Sequence, residues 1–149
     1  MTARVLGYAA QALGETLVPF TYDAPRLGEQ DVRVAVTHCG VCHTDIQAID
    51  DYFGITRFPF VPGHEIVGAI SEVGPAVSNM QVGDRVGIGW QARSCGVCEW
   101  CLKGQTQLCM KIEDTTVMVP HGGFSTSVVA DHRFVYPFLC PCPASSPQS

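Results

Sequence analysis

Residues 31–42 read DVRVAVTHCGVC, and this stretch decides much of the predicted fold. Valines at positions 32, 34 and 36 alternate with Arg33, Ala35 and Thr37. This period of two is typical of a β-strand with one buried face. The strand is predicted to end at Gly40, and a short helix is predicted within residues 42–53, where Ile46 and Ile49 share one side. A strand therefore leads directly into a helix that begins with polar residues and a thiol.

Short strands are also predicted on both sides of this stretch. Fifteen glycines and ten prolines, with little helical periodicity, favour a mainly β (α+β) chain with many turns. Residues 4–10 and 16–22 form a predicted first hairpin, residues 65–73 a further strand, and residues 85–90 a strand after a Gly-Asp turn. Residues 122–136 are predicted to form a last hairpin. The 149 residues, 46% of them hydrophobic, are sufficient for one domain.

Composition excludes several classes of partner. The net charge is −5, with only nine lysines and arginines, which argues against binding to nucleic acid or to an anionic membrane surface. No segment approaches the roughly 20 apolar residues that span a bilayer, and the N-terminus does not resemble a secretion signal. We therefore expect a cytoplasmic protein, whose eight cysteines are kept reduced and available to metals.

Residues 95–109, CGVCEWCLKGQTQLC, carry four cysteines at metal-binding spacing. Zinc prefers four thiolates in a tetrahedron where its role is structural, and two-residue gaps let neighbouring sulfurs converge. The sequence predicts a structural zinc lobe. A disulfide framework is the alternative, although cysteine clusters without a secretion signal are more often metal sites. The predicted ligands are Cys95, Cys98, Cys101 and Cys109.

A second group of metal-binding side chains lies further upstream. Cys42 begins the predicted helix and His64 begins the predicted strand, so both side chains are expected to extend from element ends into one cleft. That arrangement is typical of a catalytic zinc with an open position, which needs a third protein ligand. Thr44 is a candidate to relay the hydroxyl proton. The complete candidate group is Cys42, His43, Thr44, Asp45, His64 and Glu65.

Four motifs carry a resemblance to a known family. GVCHTD at 40–45, VPGHEIVG at 61–68, VGDRVG at 82–87 and the four-cysteine lobe occur in the order found in zinc-dependent medium-chain alcohol dehydrogenases. The chain resembles the N-terminal catalytic domain of that family, in its cinnamyl alcohol dehydrogenase-like branch, over residues 1–136. The resemblance implies a GroES-like, partly open β-barrel with short helices. Residues 137–149, rich in proline and serine, have no counterpart, and we expect a disordered tail there.

The resemblance also implies a role for each candidate residue. Cys42 and His64 correspond to ligands of the catalytic zinc, and Glu65 to the neighbouring acid that approaches the metal. Asp45 is similar to the carboxylate that orients the ligand histidine. Thr44 matches the hydroxyl of the proton relay, whereas His43 matches a position facing the cofactor pyrophosphate. The four lobe cysteines match the structural zinc ligands.

Two features of the family are missing from these residues. The usual third catalytic ligand lies beyond the last predicted hairpin in the family, and no G-x-G-x-x-G stands between a strand and a helix here, so we expect no Rossmann domain within these residues. We expect a truncated chain that is inactive alone and uses NAD or NADP only as part of the full-length enzyme. Glu65 or Asp45 could complete the catalytic site. Cys140 and Cys142 are expected to be free or disordered thiols, because their proline-rich setting fixes no geometry.

Two functions from different classes follow. The first is the catalytic domain of a zinc-dependent alcohol dehydrogenase, which interconverts primary alcohols and aldehydes with NAD(P). The alternative is a non-catalytic zinc-binding β-domain with only a structural metal. The expected partners are a small-molecule alcohol or aldehyde, together with a second copy of the chain that associates through the exposed cleft face.

Overall fold

The computed structural model describes residues 4–115 and 121–138, which form three small antiparallel sheets. The predicted tail from residue 139 onward, with Cys140 and Cys142, lies outside the described residues. In chain order the elements are β1 Arg4–Ala9, β2 Val18–Asp23, β3 Asp31–Cys39, α1 His43–Ile49, β4 Ile66–Val73, β5 Arg85–Ile88, β6 Gln91–Arg93, α2 Glu99–Leu102, a 3-10 turn Thr106–Leu108, β7 Glu113–Asp114, β8 Ser127–Asp131, a 3-10 turn His132–Phe134 and β9 Val135–Pro137.

The largest sheet has five strands in the order β8-β3-β4-β5-β9. Its centre is the pair of β3 and β4, which run antiparallel from Val32 opposite Val73 to Cys39 opposite Ile66. The period of two in β3 is confirmed, because Val32 and Val34 are fully buried. They pack with side chains from the other strands into the main core, which comprises Val32, Val34, Ile66, Ile70, Val86, Ile88, Ala92, Val128, Ala130 and Val135.

This sheet is curled into a partly open barrel. In a flat sheet the two edge strands would lie roughly 19 Å apart, with about 4.8 Å between neighbouring strands. Here the edge strands β8 and β9 are joined through Asp131 and Val135 by a 3-10 turn of three residues. Four residue steps cover at most about 14 Å even when extended. The two edges must therefore approach each other at this end, as the mainly β, barrel-like prediction requires.

The predicted last hairpin is wrong, although both of its strands exist. β8 pairs with β3, whereas β9 pairs with β5 at the opposite edge of the sheet. The 3-10 turn between them carries the chain from one edge to the other instead of folding it back on itself. β9 includes Pro137, and directly after it the Phe138 N–H donates to the Arg85 carbonyl at 3.0 Å.

The predicted first hairpin is confirmed as the antiparallel pair of β1 and β2. It covers a second, smaller core that includes Val5, Tyr22 and Val61. Backbone hydrogen bonds of 2.9 Å in both directions between Ala10 and Phe60 fix the hairpin to the segment that precedes β4. Phe60 packs in turn against Ala48 of α1. These contacts hold α1 and the segment before β4 beside each other.

No helix within residues 4–115 and 121–138 is long and apolar enough to cross a membrane.

Ile70→Ala is predicted to destabilise the barrel strongly. Ile70 is only 2% exposed within the main core, so truncation leaves a cavity among side chains from several strands. The expected loss is about 2–5 kcal/mol of unfolding free energy, measured by urea denaturation. Ile55→Ala is the matched control, because Ile55 is 49% exposed, and its loss should be below about 0.5 kcal/mol. Equal losses for the two variants would contradict the placement of Ile70 in the core.

Candidate metal centres

Cys42 lies at the junction between the central strand and the first helix. β3 ends at Cys39, and Cys42 is the residue that caps the start of α1, with extended backbone angles of φ −112° and ψ 157°. The first N–H groups of a helix have no partner within the helix. Asp45 satisfies one group at this end, because its Oδ2 accepts a hydrogen bond of 2.8 Å from the Cys42 N–H. The position of the thiol is therefore fixed by a side chain one turn further on.

Asp45 also holds the segment that carries His64. Its Oδ1 accepts a hydrogen bond of 3.0 Å from the Gly63 N–H and lies 3.1 Å from His64 Nδ1. Asp45 is only 2% exposed, and these contacts compensate for the removal of its carboxylate from water. With the proton on Nδ1, the His64 ring presents Nε2 as its metal-binding nitrogen. The family resemblance implied such a contact between Asp45 and the histidine, and the role of Asp45 toward a metal stays a prediction.

Glu65 is held close to the chain turn that precedes Cys42. The Gly40 N–H donates to the Glu65 carbonyl at 2.9 Å, and a Cβ atom at position 40 would collide with the Glu65 side chain. Only glycine leaves the carboxylate this space. Gly40 is thus a residue beside the site to which sequence reasoning gave no role, although it begins the GVCHTD motif. Its place two residues before Cys42 was the available signal.

Three donor atoms converge at this first centre. The Cys42 sulfur, a His64 ring nitrogen and a Glu65 carboxylate oxygen all lie within 4.8 Å of one another. Zinc bonds of about 2.0–2.3 Å place tetrahedral ligands roughly 3.3–3.8 Å apart, so modest side-chain rotations bring these donors to one ion. The set of one sulfur, one nitrogen and one oxygen suits zinc. Both oxygens of Asp45 are already hydrogen-bonded, so the geometry favours Glu65 over Asp45 as third ligand.

The two remaining candidates lie at the start of α1. Thr44 is half-buried, and its Oγ1 is 3.6 Å from the Cys42 sulfur, which places a hydroxyl beside the centre. His43 is exposed and is not among the converging donors. The structure therefore brings together Cys42, Thr44, Asp45, His64 and Glu65, with His43 at the adjacent surface.

The four cysteines of residues 95–109 form a second, closed centre. Their sulfurs all lie within 4.8 Å of one another, with 3.5 Å between Cys98 and Cys101 and 3.9 Å between Cys95 and Cys101. A zinc tetrathiolate with bonds of about 2.3 Å has edges of about 3.8 Å. The donor set therefore fits zinc at all four positions and has no position for a substrate. The described cysteines form no disulfide, contrary to the alternative framework.

Backbone N–H groups favour the thiolate form of Cys95 in this lobe, whereas the pKa of Cys98 is raised to about 11, because its backbone hydrogen bond is outweighed by desolvation and by contacts with neighbouring thiols. Hydrogen bonds from the N–H groups of Val97 and Cys98 lower the pKa of Cys95 to about 6. The Cys109 sulfur accepts from the N–H groups of Cys95 and Lys111, each at 3.4 Å. Thiolates are the form that binds zinc, so the backbone of the lobe is arranged for a metal. Cys39, which belongs to neither centre, differs: burial raises its pKa to about 11.

Comparison with known proteins identifies the family. Residues 28–141 match the family described as the alcohol dehydrogenase GroES-like domain. The match includes both metal centres and every strand from β3 onward. The chain therefore belongs to the alcohol dehydrogenase GroES-like domain family.

Individual relatives agree with this assignment. The aldehyde reductase AdhA of Synechocystis is 41% identical over 85% of this chain and 37% of its own length. A probable cinnamyl alcohol dehydrogenase of Oryza sativa is 40% identical over 98% of this chain and 43% of its own length. The crystal structure of CAD from Helicobacter pylori complexed with NADP(H) superposes with a TM-score of 0.86 and 32% identity, over 93% of this chain and 42% of that one. The chain thus spans about two fifths of the length of its relatives.

Asp45→Asn is predicted to weaken metal binding at the first centre alone. The amide keeps the size of the side chain but removes the charge that orients His64, and loss of such a partner typically costs about 10–100-fold in metal affinity. Titration with cobalt(II), followed by its visible absorption, measures this centre. The four-cysteine centre should keep its affinity. An unchanged affinity at the first centre would show that His64 does not need the carboxylate.

Cys109→Ser is predicted to remove one zinc ion per chain. The hydroxyl does not replace a thiolate in a site that has no other ligand, and the lobe loses the metal that joins its two ends. Zinc counting by elemental analysis, together with thermal unfolding, provides the measurement. Cys39→Ser is the matched control, because Cys39 lies outside both centres and should keep the native zinc count. Equal zinc counts in the two variants would exclude Cys109 as a ligand.

Proposed function

We propose that this chain is the catalytic domain of a zinc-dependent alcohol dehydrogenase, which interconverts primary alcohols and aldehydes with NAD or NADP in the full-length enzyme. The observation that carries the proposal is the convergence of Cys42, His64 and Glu65, in a member of the alcohol dehydrogenase GroES-like domain family. A centre with three protein ligands has an open position for a substrate oxygen. We place this activity in the cytoplasm, where the thiolates stay reduced.

The residues of the chain hold the centre and move a proton. A zinc ion held by Cys42, His64 and Glu65 supplies Lewis acidity toward an alcohol or carbonyl oxygen. Asp45 fixes the ring of His64 and is itself shielded from solvent, so the ligand geometry is set before substrate arrives. The Thr44 hydroxyl, 3.6 Å from the Cys42 sulfur, accepts the hydroxyl proton of the alcohol and donates its own proton outward.

Hydride transfer also needs a nicotinamide cofactor. The 149 residues contain no G-x-G-x-x-G between a strand and a helix, and the relatives are more than twice as long as the matched region. We therefore propose that the dinucleotide binds mainly to residues of the full-length enzyme outside this chain. We also propose that His43, which is exposed at the start of α1, faces its pyrophosphate. On this proposal the chain by itself does not turn over substrate.

Apolar side chains beside the first centre suit the carbon chain of an alcohol or aldehyde. Val41 is 77% exposed and Ile46 is 51% exposed, and they flank Cys42 and the start of α1. We propose that a small alcohol or aldehyde contacts this face, and that the isolated chain self-associates through the same face. Neither contact requires nucleic acid or membrane.

Cobalt substitution tests whether the first centre is open to substrate. Two metal ions should bind per chain, and an added primary alcohol or aldehyde should change the visible absorption of the cobalt at the first centre. Cys42→Ala should lose one metal ion and this response together, while the four-cysteine centre keeps its ion. One metal ion per native chain, with no response to substrate, would instead support a non-catalytic domain with only a structural zinc.

A turnover assay tests the need for further residues. The chain with an aldehyde and NADPH or NADH should consume no reduced cofactor. The opposite outcome is that the native chain consumes reduced cofactor and Cys42→Ala does not. This outcome would overturn the proposed inactivity of the isolated chain, but it would establish the dehydrogenase activity. The cobalt and turnover results therefore judge the catalytic centre and the cofactor requirement separately.

A further inference from the structure

Two buried aspartates oppose each other at the end of the β3–β8 pair. Asp31 and Asp131 are direct partners across the two strands, and they are only 3% and 2% exposed. Like charges in this arrangement destabilise a sheet, and buried carboxylates need compensating partners. Each aspartate accordingly binds one arginine. The two arginines differ in what else they contact.

Arg93 binds two carboxylates, one on β3 and one on β7. Its guanidinium donates to both oxygens of Asp31, at 2.7 and 3.0 Å, and its Nε donates to Glu113 at 3.1 Å. Two carboxylates therefore share one positive charge. This pair joins β3 to the short β6–β7 sheet that precedes and follows the zinc lobe.

Arg133 instead connects Asp131 to the zinc lobe itself. Its Nη2 donates to Asp131 Oδ2 at 2.6 Å and to the Ser94 carbonyl at 3.2 Å. Ser94 directly precedes Cys95, the first cysteine of the lobe. A Cβ atom at Gly96, between Cys95 and Cys98, would lie only 2.8 Å from Arg133 Nη1. The guanidinium thus lies against the backbone of the first cysteine turn. The guanidinium is also close enough to Cys101 to be attracted by the negative charge of its sulfur.

The lobe has a charge that such a cation can offset. Zn²⁺ with four thiolates carries a net charge of −2, so the closed centre is an anion once the metal is bound. Interactions beyond the ligands tune the affinity of metal sites, and a positive group near the sulfurs stabilises the thiolate form. Arg133 is the described arginine whose guanidinium contacts the cysteine turn of the lobe.

We propose that Arg133, held in place by Asp131, is the countercharge of the four-thiolate zinc centre and couples zinc binding in the lobe to the end of the barrel sheet. The positive guanidinium favours the metal-bound lobe, while its hydrogen bonds to Asp131 fix its position. The proposal needs zinc in the lobe only. It is independent of chemistry at Cys42 and His64.

The alternative is that Arg133 joins the lobe to the sheet by hydrogen bonds alone, without an electrostatic role. Substitutions that keep or remove its positive charge distinguish this alternative from the proposed countercharge. Arg133→Lys keeps the positive charge but loses the forked hydrogen bonds, whereas Arg133→Gln keeps hydrogen bonding and loses the charge. Arg133 itself is 43% exposed, but Arg133→Gln leaves the buried Asp131 carboxylate without its cation, so this variant is expected to be less stable, and circular dichroism checks that both variants are folded before their zinc affinities are compared. Arg85→Gln is the matched control, since Arg85 lies on β5 against Phe138.

The experiment measures zinc affinity by competition with a chromophoric chelator, using the full chain. Arg133→Gln should weaken binding at the four-cysteine centre by about tenfold or more, the range typical for partners of metal ligands. Arg133→Lys should stay within about threefold of the native affinity, because the charge remains. Arg85→Gln should leave the affinity unchanged.

Two results would overturn the proposal. The first is an unchanged zinc affinity in Arg133→Gln, and the second is an Arg133→Lys chain as weak as Arg133→Gln, which would leave only a hydrogen-bonding tether. The ligands of the first centre are intact in all three variants, so the response of that centre to alcohol or aldehyde should persist. A failure of the countercharge proposal is therefore distinguishable from a failure of the proposed dehydrogenase function.

Discussion

The arrangement of the first centre depends on one buried carboxylate. Asp45 accepts hydrogen bonds from the residue that caps α1 and from the backbone before His64, and it also contacts the His64 ring. A buried carboxylate without these partners would cost several kcal/mol, on the order of the cost of any unpaired buried charge. The helix start, the loop and the imidazole therefore have one common anchor. Both oxygens of this anchor are used in these contacts.

The two candidate zinc centres would use the metal in opposite ways. In the lobe, four thiolates would fill the tetrahedron, so zinc there would replace the apolar core that so short a segment cannot build. At the proposed site of Cys42, His64 and Glu65 one position would stay open, and hydrogen bonds of the protein, such as those of Asp45, hold these residues in place. Arg133 and Arg93 attach the closed centre to the sheet that presents the open one.

Local patterns predicted the elements, and tertiary pairing decided their arrangement. The alternation in β3 and the cysteine spacing of the lobe depend on neighbouring residues, so the sequence predicted both correctly. Strand partners depend on residues far away in the chain, which is why β8 and β9 were wrongly paired with each other. The sequence left the third ligand open between Glu65 and Asp45 for a similar reason. It required the burial of Asp45 and its hydrogen bonds, neither of which a sequence pattern displays.

The curled sheet also constrains the order in which the chain can fold. β8 pairs with β3 across nearly one hundred residues of sequence, and β9 pairs with β5 across about fifty, so both edges are completed by late segments. Sheets built from such distant contacts fold slowly, because long loops must close before pairing stabilises them. During synthesis on the ribosome, β3 and β5 consequently remain as unpaired edges until residues 127–137 emerge. Until that moment the nascent domain presents backbone groups that any other extended chain can pair with.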